Sequence, residues 1–176
     1  MRELTYKICI FGNGSVGKTT MLHRFLTNEF ILNTKITLGL DIDTKRLTVD
    51  DSIITLQIWD FGGEKRFRFL LPSYTRGSSG GIYMFDLTRP HTLDDIEEWI
   101  SIFRKGQNKN FQVPIFLVGG KLDLVDIRLI SEKEIKKITK SFKISHYFES
   151  SAKTGENIDT IFNTLTRTIM ESAGHL

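Results

Sequence analysis

With 176 residues, 40% of them hydrophobic and 26% charged, the chain is long enough to bury a substantial core and has the balance of an ordinary globular protein. No apolar run approaches the roughly 20 residues of a membrane-spanning helix, and the opening MRELTYKICIF runs straight into a glycine loop, which argues against a secretory leader. A net charge of +3 gives no strong pull toward nucleic acid, the single cysteine excludes an internal disulfide, and the 4 histidines are scattered away from zinc-site spacing.

Taken in chain order, Thr5–Phe11 reads as a strand, with Cys9 as a small buried residue inside it. The loop GNGSVGKT follows, and a helix is expected over Gly17–Leu26. Alternating runs at Ile42–Val49 and Ile53–Trp59 flank the polar VDDS and read as a hairpin. Further strands are expected at Gly81–Leu87, Ile115–Val118 and His146–Glu149, and further helices at Leu93–Arg104, Glu132–Phe142 and Ile158–Met170. Thr92-x-x-Asp95 and Ser131-x-x-Glu134 fit the box in which a hydroxyl and a carboxylate satisfy a helix's first N–H groups. Lys133, Lys136, Lys137, Lys140 and Lys143 gather away from Ile135, Ile138 and Phe142. A solvated face is the expectation there, with a membrane or nucleic-acid patch as the alternative. Strands alternating with helices imply a mostly parallel sheet covered on both faces, with ligands outside the carboxyl ends of its strands.

Four short motifs can be tested against that geometry. In GNGSVGKT, between strand and helix, Gly12 and Gly17 free the backbone so that loop N–H groups converge on an anion at the positive end of the helix. Gly14, Ser15, Val16, Gly17, Lys18, Thr19 and Thr20 are the candidate phosphate-binding residues, with Lys18 reaching the β- and γ-phosphates and Thr19 offering its hydroxyl to Mg2+. Asp60, at the end of an apolar strand in QIWDFGGEKRF, is suited to hold the magnesium ion, and Gly63 leaves its N–H free to approach a terminal phosphate. In LVGGKLD, Asp123 can accept from the N1–H and exocyclic amine of guanine, a donor pair adenine lacks, while the stem of Lys121 can lie over the base. In ESSAKTG, Ser151, Ala152 and Lys153 can lend backbone N–H groups to the guanine O6.

These four motifs, in this order, resemble those of the Ras-superfamily small GTPases over Thr5 to Met170. LQIWD, RFR, SYTRG and ESSAKTG are similar to Rab strings, and DFGG to the Arf branch. The resemblance implies an α/β P-loop NTPase fold, three layers α/β/α around a mostly parallel six-stranded sheet with one antiparallel edge strand, as a single domain over 1–176. It implies GTP and GDP as substrate and product, with Mg2+ held by Thr19, Thr37 and Asp60. Phe30 falls where the family sets an aromatic edge against the base; simple packing is the alternative. Lys18, Thr37, Gly63 and Glu64 are the implied catalytic set. Two switch loops, near 30–40 and 60–76, would be held by Thr37 and the Gly63 N–H through the γ-phosphate and released on hydrolysis.

The implied partners are effector proteins reading those loops, an exchange factor and a GTPase-activating protein, with no nucleic acid. The expected location is cytoplasmic, with a peripheral membrane position, reached through a partner or through a tail outside this sequence, as the alternative, since RTIMESAGHL carries no cysteine. Two departures stand out: Glu64 replaces the usual glutamine that orients the attacking water, and Gly120 replaces an asparagine that contacts the base and ties adjacent loops. The first switch also has no arginine, so intrinsic turnover is expected to be slow. A GTP-binding scaffold with little hydrolysis and a different P-loop NTPase, such as a small-molecule kinase, are the rival readings.

Overall fold

The computed structural model describes residues 2–108 and 112–176. Its sheet has the strand order β2-β3-β1-β4-β5-β6, with β1 at Arg2–Phe11, β2 at Leu40–Val49, β3 at Ser52–Phe61, β4 at Gly80–Asp86, β5 at Ile115–Gly120 and β6 at His146–Glu149. Every neighbouring pair is parallel except β2 with β3. The helices are α1 (Lys18–Thr27), α2 (Leu71–Tyr74), α3 (Ile96–Lys105), α4 (Glu132–Ser141) and α5 (Ile158–Ser172). The expected three-layer α/β/α fold, with one antiparallel edge strand, is therefore the one observed.

The layers follow from the two-residue period of a strand. On β1, Ile8 and Ile10 pack with Met21, Leu22 and Phe25 of α1 and Ile161, Phe162 and Leu165 of α5. The intervening Cys9 and Phe11 pack on the other face with Trp99, Ile100 and Phe103 of α3. Ring pairs fasten both layers: Phe25 stacks on Phe162 with centroids 3.8 Å apart, and Phe11 on Phe103 at 4.9 Å. Each fully buried ring of this kind contributes about 1.5–3 kcal/mol.

The hairpin around VDDS closes as expected. Val49 pairs with Ser52, leaving Asp50 and Asp51 as a two-residue turn, with Asp50 at φ 50°. The Ser131 box also forms, since Ser131 Oγ accepts from Glu134 N and Glu134 Oε2 accepts from Ser131 N. The lysines of α4 are exposed, as a solvated face would be.

The Thr92 box does not form. Thr92 is buried and its hydroxyl is already used, donating to Arg89 O at 2.7 Å and accepting from Asp86 N at 2.9 Å. Residues Pro90–Leu93 make a short 3-10 turn, and α3 begins only at Ile96, after Asp95. The Asp95 carboxylate is drawn instead to Arg68. A second element with no forecast lies after β3: a 3-10 turn over Lys65–Leu70 runs into α2, and Arg68 is buried within it.

Candidate functional site

The carboxyl ends of β1, β3, β4, β5 and β6 lie on one side of the sheet, because those strands are parallel. All four motifs emerge there. Gly12 follows β1 at φ 142°, and a Cβ on it would lie 2.2 Å from Met84 O, so only glycine can start the loop this close to β4. Gly17, at φ 105°, caps α1 and puts Lys18 in its first turn.

Lys18 is almost wholly buried, and its Nζ donates to the carbonyls of Gly12 at 3.0 Å and Asn13 at 2.8 Å. Burial lowers its pKa to about 8, with the Asp60 carboxylate pulling the other way. Asp60 is fully buried, and burial raises its carboxyl to about 6 against the hydrogen bond from Thr19. Thr19 Oγ1 donates to Asp60 Oδ2 at 2.5 Å and shares a 2.7 Å hydrogen bond with Thr37 Oγ1. Residues far apart in sequence thus form one oxygen cluster, and Asp60 Oδ1, buried in it, has no hydrogen-bond partner. Hard oxygen donors around an unsatisfied carboxylate suit a small divalent cation. The residues expected to hold Mg2+ therefore fit it.

Beside this cluster a cavity of about 180 Å3 is lined by Gly14, Lys18, Thr19, Thr37, Gly63 and Glu64 among others. Adjoining it, a cavity of about 310 Å3 is lined by Ser15, Val16, Gly17, Thr20, Phe30, Met84, Lys121, Asp123, Ala152 and Lys153. A larger cavity of about 450 Å3 lies apart, between α4 and β6, and none of the candidate nucleotide-binding residues lines it. The paired cavities have the division a nucleotide requires, the smaller beside the loop lysine and the oxygen cluster for phosphates, the larger beside an aromatic ring and the Asp123 carboxylate for a base.

The loops at this mouth hold one another. Lys121 Nζ pairs with Asp86 at 2.7 Å and donates to Ser15 O at 3.1 Å; Arg89 pairs with the same carboxylate at 2.9 Å and donates to Ser15 O at 2.7 Å. Burial works to raise the Asp86 pKa, but hydrogen bonds from Lys121, Thr88 and Arg89 overcome it and hold the carboxyl below the usual range. Ser151 Oγ donates to Asp123 Oδ1 at 2.6 Å and so orients that carboxylate. The Ser151 N–H, expected to face a base, donates to Glu156 O at 3.2 Å; Ala152 and Lys153 remain at the cavity.

The two switch segments meet at the double glycine. Gly62 N donates to Gly39 O at 2.8 Å, and a Cβ on Gly62 would lie 2.5 Å from Thr37 O. A Cβ on Gly63 would lie 2.3 Å from Gly14 N, so that segment rests directly on the phosphate-type loop. Glu64 lines the smaller cavity, and its carboxylate lies 2.6 Å from Arg66 Nε. Residues 28–39 form no regular element and expose Leu32, Ile36 and Leu38, while Phe30 is 36% exposed at the cavity rim.

Several contributors carried no forecast: Asn13, Arg68, Met84, Asp86 and Arg89. Asp86 had a legible signal, an acid at the carboxyl end of the apolar run IYMFD, the same cue that singled out Asp60.

The sequence pattern of the Ras family matches residues 7–171. The chain is 35% identical over 166 residues to the Ras-related protein Rab-11A of Dictyostelium discoideum, a match spanning 94% of this chain and 76% of that protein. It is 34% identical over 163 residues to the Ras-related protein Rab11A of Nicotiana tabacum, across 93% and 74% of the two chains. With the Ras-related protein RABA4a of Arabidopsis thaliana it shares 33% over 163 residues, across 93% and 71%. The chain belongs to the Ras family of small GTPases. Within that family it is Rab-like, a GTP-binding switch protein.

Proposed function

We propose that this chain, as one G domain over 1–176, binds GDP and GTP with Mg2+ at the sheet mouth and hydrolyses GTP slowly unless a partner assists. The observation that carries this is the cluster of Thr19, Thr37 and Asp60, with its unpaired carboxylate oxygen. Bound Mg2+ would supply charge neutralisation to the phosphates. Gly14, Ser15, Val16 and Gly17 offer backbone N–H groups to the phosphates, and Lys18 gives up two carbonyl partners to meet them. Asp123 selects guanine, Phe30 and the Lys121 stem flank the base, and Ala152 and Lys153 lend N–H groups to O6.

Hydrolysis adds water to the γ-phosphorus and breaks its bond to the β–γ bridging oxygen. GDP leaves with the electron pair, and the water's proton ends on the products. No arginine lies on residues 28–39, so a partner's arginine would raise the rate about 10³-fold or more. Thr37 and the Gly63 N–H sense the γ-phosphate and hold both switch segments in the triphosphate form. Effectors read that form through exposed Ile36, Leu38, Ile42 and Phe69. An exchange factor and an activating protein complete the cycle. Any membrane contact is peripheral; among the described residues no helix is long and apolar enough to cross a bilayer.

One observation favours a second reading, a GTP-bound scaffold with little turnover: the Glu64 carboxylate at the cavity is engaged by Arg66. Chromatographic identification of the nucleotide carried through purification, followed by single-turnover hydrolysis of the GTP-loaded protein, separates the two. GTP converted to GDP supports the switch; retained GTP supports the scaffold; a chain that takes up neither guanine nucleotide overturns both.

A further inference from the structure

The two halves of the cleft are joined by a side chain that none of the four motifs contains. α1 starts at the phosphate-type loop with Lys18, and Arg24 stands on its last turn. The guanidinium reaches from there to the turn after β6: Nη1 donates to Lys153 O and Nη2 to Thr154 O, each at 3.3 Å. A planar fork that spans two consecutive carbonyls fixes the turn's orientation, which a single donor on a flexible stem does not. The contact has a cost, because Arg24 Nε is buried and has no hydrogen-bond partner. An arginine laid out in solvent would keep every N–H donor satisfied. This one gives up a donor's hydration while its two outer nitrogens hold the turn.

The turn passes that hold on to the base side of the cleft. Thr154 is fixed at both ends, its carbonyl by Arg24 and its N–H by Ser151 Oγ at 3.1 Å. The same Ser151 hydroxyl donates to Asp123 Oδ1 at 2.6 Å. Gly155 N closes the turn on Ser151 O at 2.8 Å, with Gly155 at φ 86°. Arg24, Thr154, Ser151 and Asp123 are thus successive members of one hydrogen-bonded chain that runs from α1 to the cavity. Arg24 itself lines neither cavity of the cleft, so it acts there through that chain.

We infer that Arg24 is a positioning residue of the nucleotide site: from the helix that carries Lys18 and Thr19, its guanidinium holds the turn that orients Asp123, and so governs how strictly the pocket selects the guanine amine and how slowly it releases the nucleotide. The inference rests on the GTP-binding reading, in which Asp123 accepts from the N1–H and exocyclic amine of guanine. A carboxylate discriminates by these bonds only while its direction is fixed. One other role is open to a cation at this position, since the last turn of α1 favours positive charge at its carboxyl end. Lysine fills that role as well as arginine does, but it has no fork to span two carbonyls.

Two measurements on purified wild type, Arg24→Lys and Arg24→Ala, each shown to melt cooperatively, test this. The first is the rate of GDP release. The second is competition against GDP by inosine diphosphate, which lacks the exocyclic amine. Arg24→Ala should release GDP about tenfold faster, the worth of one charge-assisted hydrogen bond, and Arg24→Lys about threefold faster or more. In both, the preference for GDP over inosine diphosphate should fall about threefold or more. A loss of fold stability alone lowers the melting point without altering a ratio between two bases. In Ser151→Ala, where the link to Asp123 is already cut, adding Arg24→Ala should change that ratio no further. Arg24→Lys at wild-type values, an unchanged ratio in Arg24→Ala, or additive shifts in the double variant each overturn the positioning role while leaving GTP binding intact. A wild type that takes up no guanine nucleotide overturns both.

Discussion

Arg68 Nη2 donates to Asn13 Oδ1 at 2.9 Å, joining the segment after β3 to the loop after β1. The same amide oxygen accepts from Trp99 Nε1 at 2.8 Å, so one side chain ties both loops to α3. Arg68 lies over the Trp99 ring at 4.5 Å and pairs with Asp95 and Glu98. Any nucleotide-dependent movement of that segment must break or carry this cluster with it. In Asn13→Ala, Trp99 Nε1 and one Arg68 N–H lose their acceptor in a mostly buried setting, and the expected loss is about 1–3 kcal/mol. Urea unfolding followed by tryptophan fluorescence measures it; an unchanged midpoint would mean that the amide is not a tie.

The same cluster sets an acid limit. The hydrogen bond from Arg68 holds the Asp95 carboxyl below its ordinary value. A carboxyl whose folded pKa is depressed contributes stability that is complete above its unfolded pKa, about 4, and is lost as pH falls through the lower folded value. Asp95→Asn should therefore be less stable than the wild type at pH 7, with the deficit closing below about pH 4. Paired denaturation curves across that range check it. A deficit independent of pH would assign the effect to shape, not charge.

Cys9 should be silent to thiol reagents in the native protein. It is fully buried, and burial pushes its pKa up to about 11 despite the hydrogen bond with Ser78. Attack requires the thiolate and access, and the folded chain offers neither at pH 8. Labelling should proceed only at the rate of global opening and become immediate in denaturant. Rapid native labelling at pH 8 would show that β1 is accessible locally.

Glu64→Gln should raise single-turnover hydrolysis about tenfold or more. It removes a negative charge beside a polyanion and frees the side chain from Arg66, so an amide can orient water toward the γ-phosphate. Quench-flow on GTP-loaded protein reads the rate. An unchanged or lower rate would give the native carboxylate a direct part in the reaction.

Gly63→Ala should disable the switch. Its Cβ would meet the backbone of Gly14 at 2.3 Å, and neither partner is a flexible side chain. The segment must lift from the phosphate-type loop, losing its approach to a γ-phosphate. GDP binding is expected to persist within a few-fold while the preference for effector in the GTP-analogue form disappears, as a pull-down with each nucleotide would record.

The switch segments illustrate how far local reading reaches. Thr37 and Asp60 were recognisable as separate oxygens, one in KITLGLD and one at the end of LQIWD, and the sheet brings them to one Thr19 hydroxyl. The strand runs were equally legible, because a two-residue alternation survives in β1 and in the hairpin. The Thr92 box misled, because the pattern specifies a cap only when its hydroxyl is free, and here a buried turn at the end of β4 already uses it.

What the sequence by itself determined was the inventory of groups and their order: a glycine loop before a lysine, acids at strand ends, and a layered parallel sheet. Those features rest on backbone freedom and on periods spanning a few residues, so they are written locally. The tertiary structure alone decided that Asn13 is shared by Arg68 and Trp99, and that Glu64 faces Arg66. Each depends on side-chain volume and direction where separate elements pack together, and no local period encodes such a meeting.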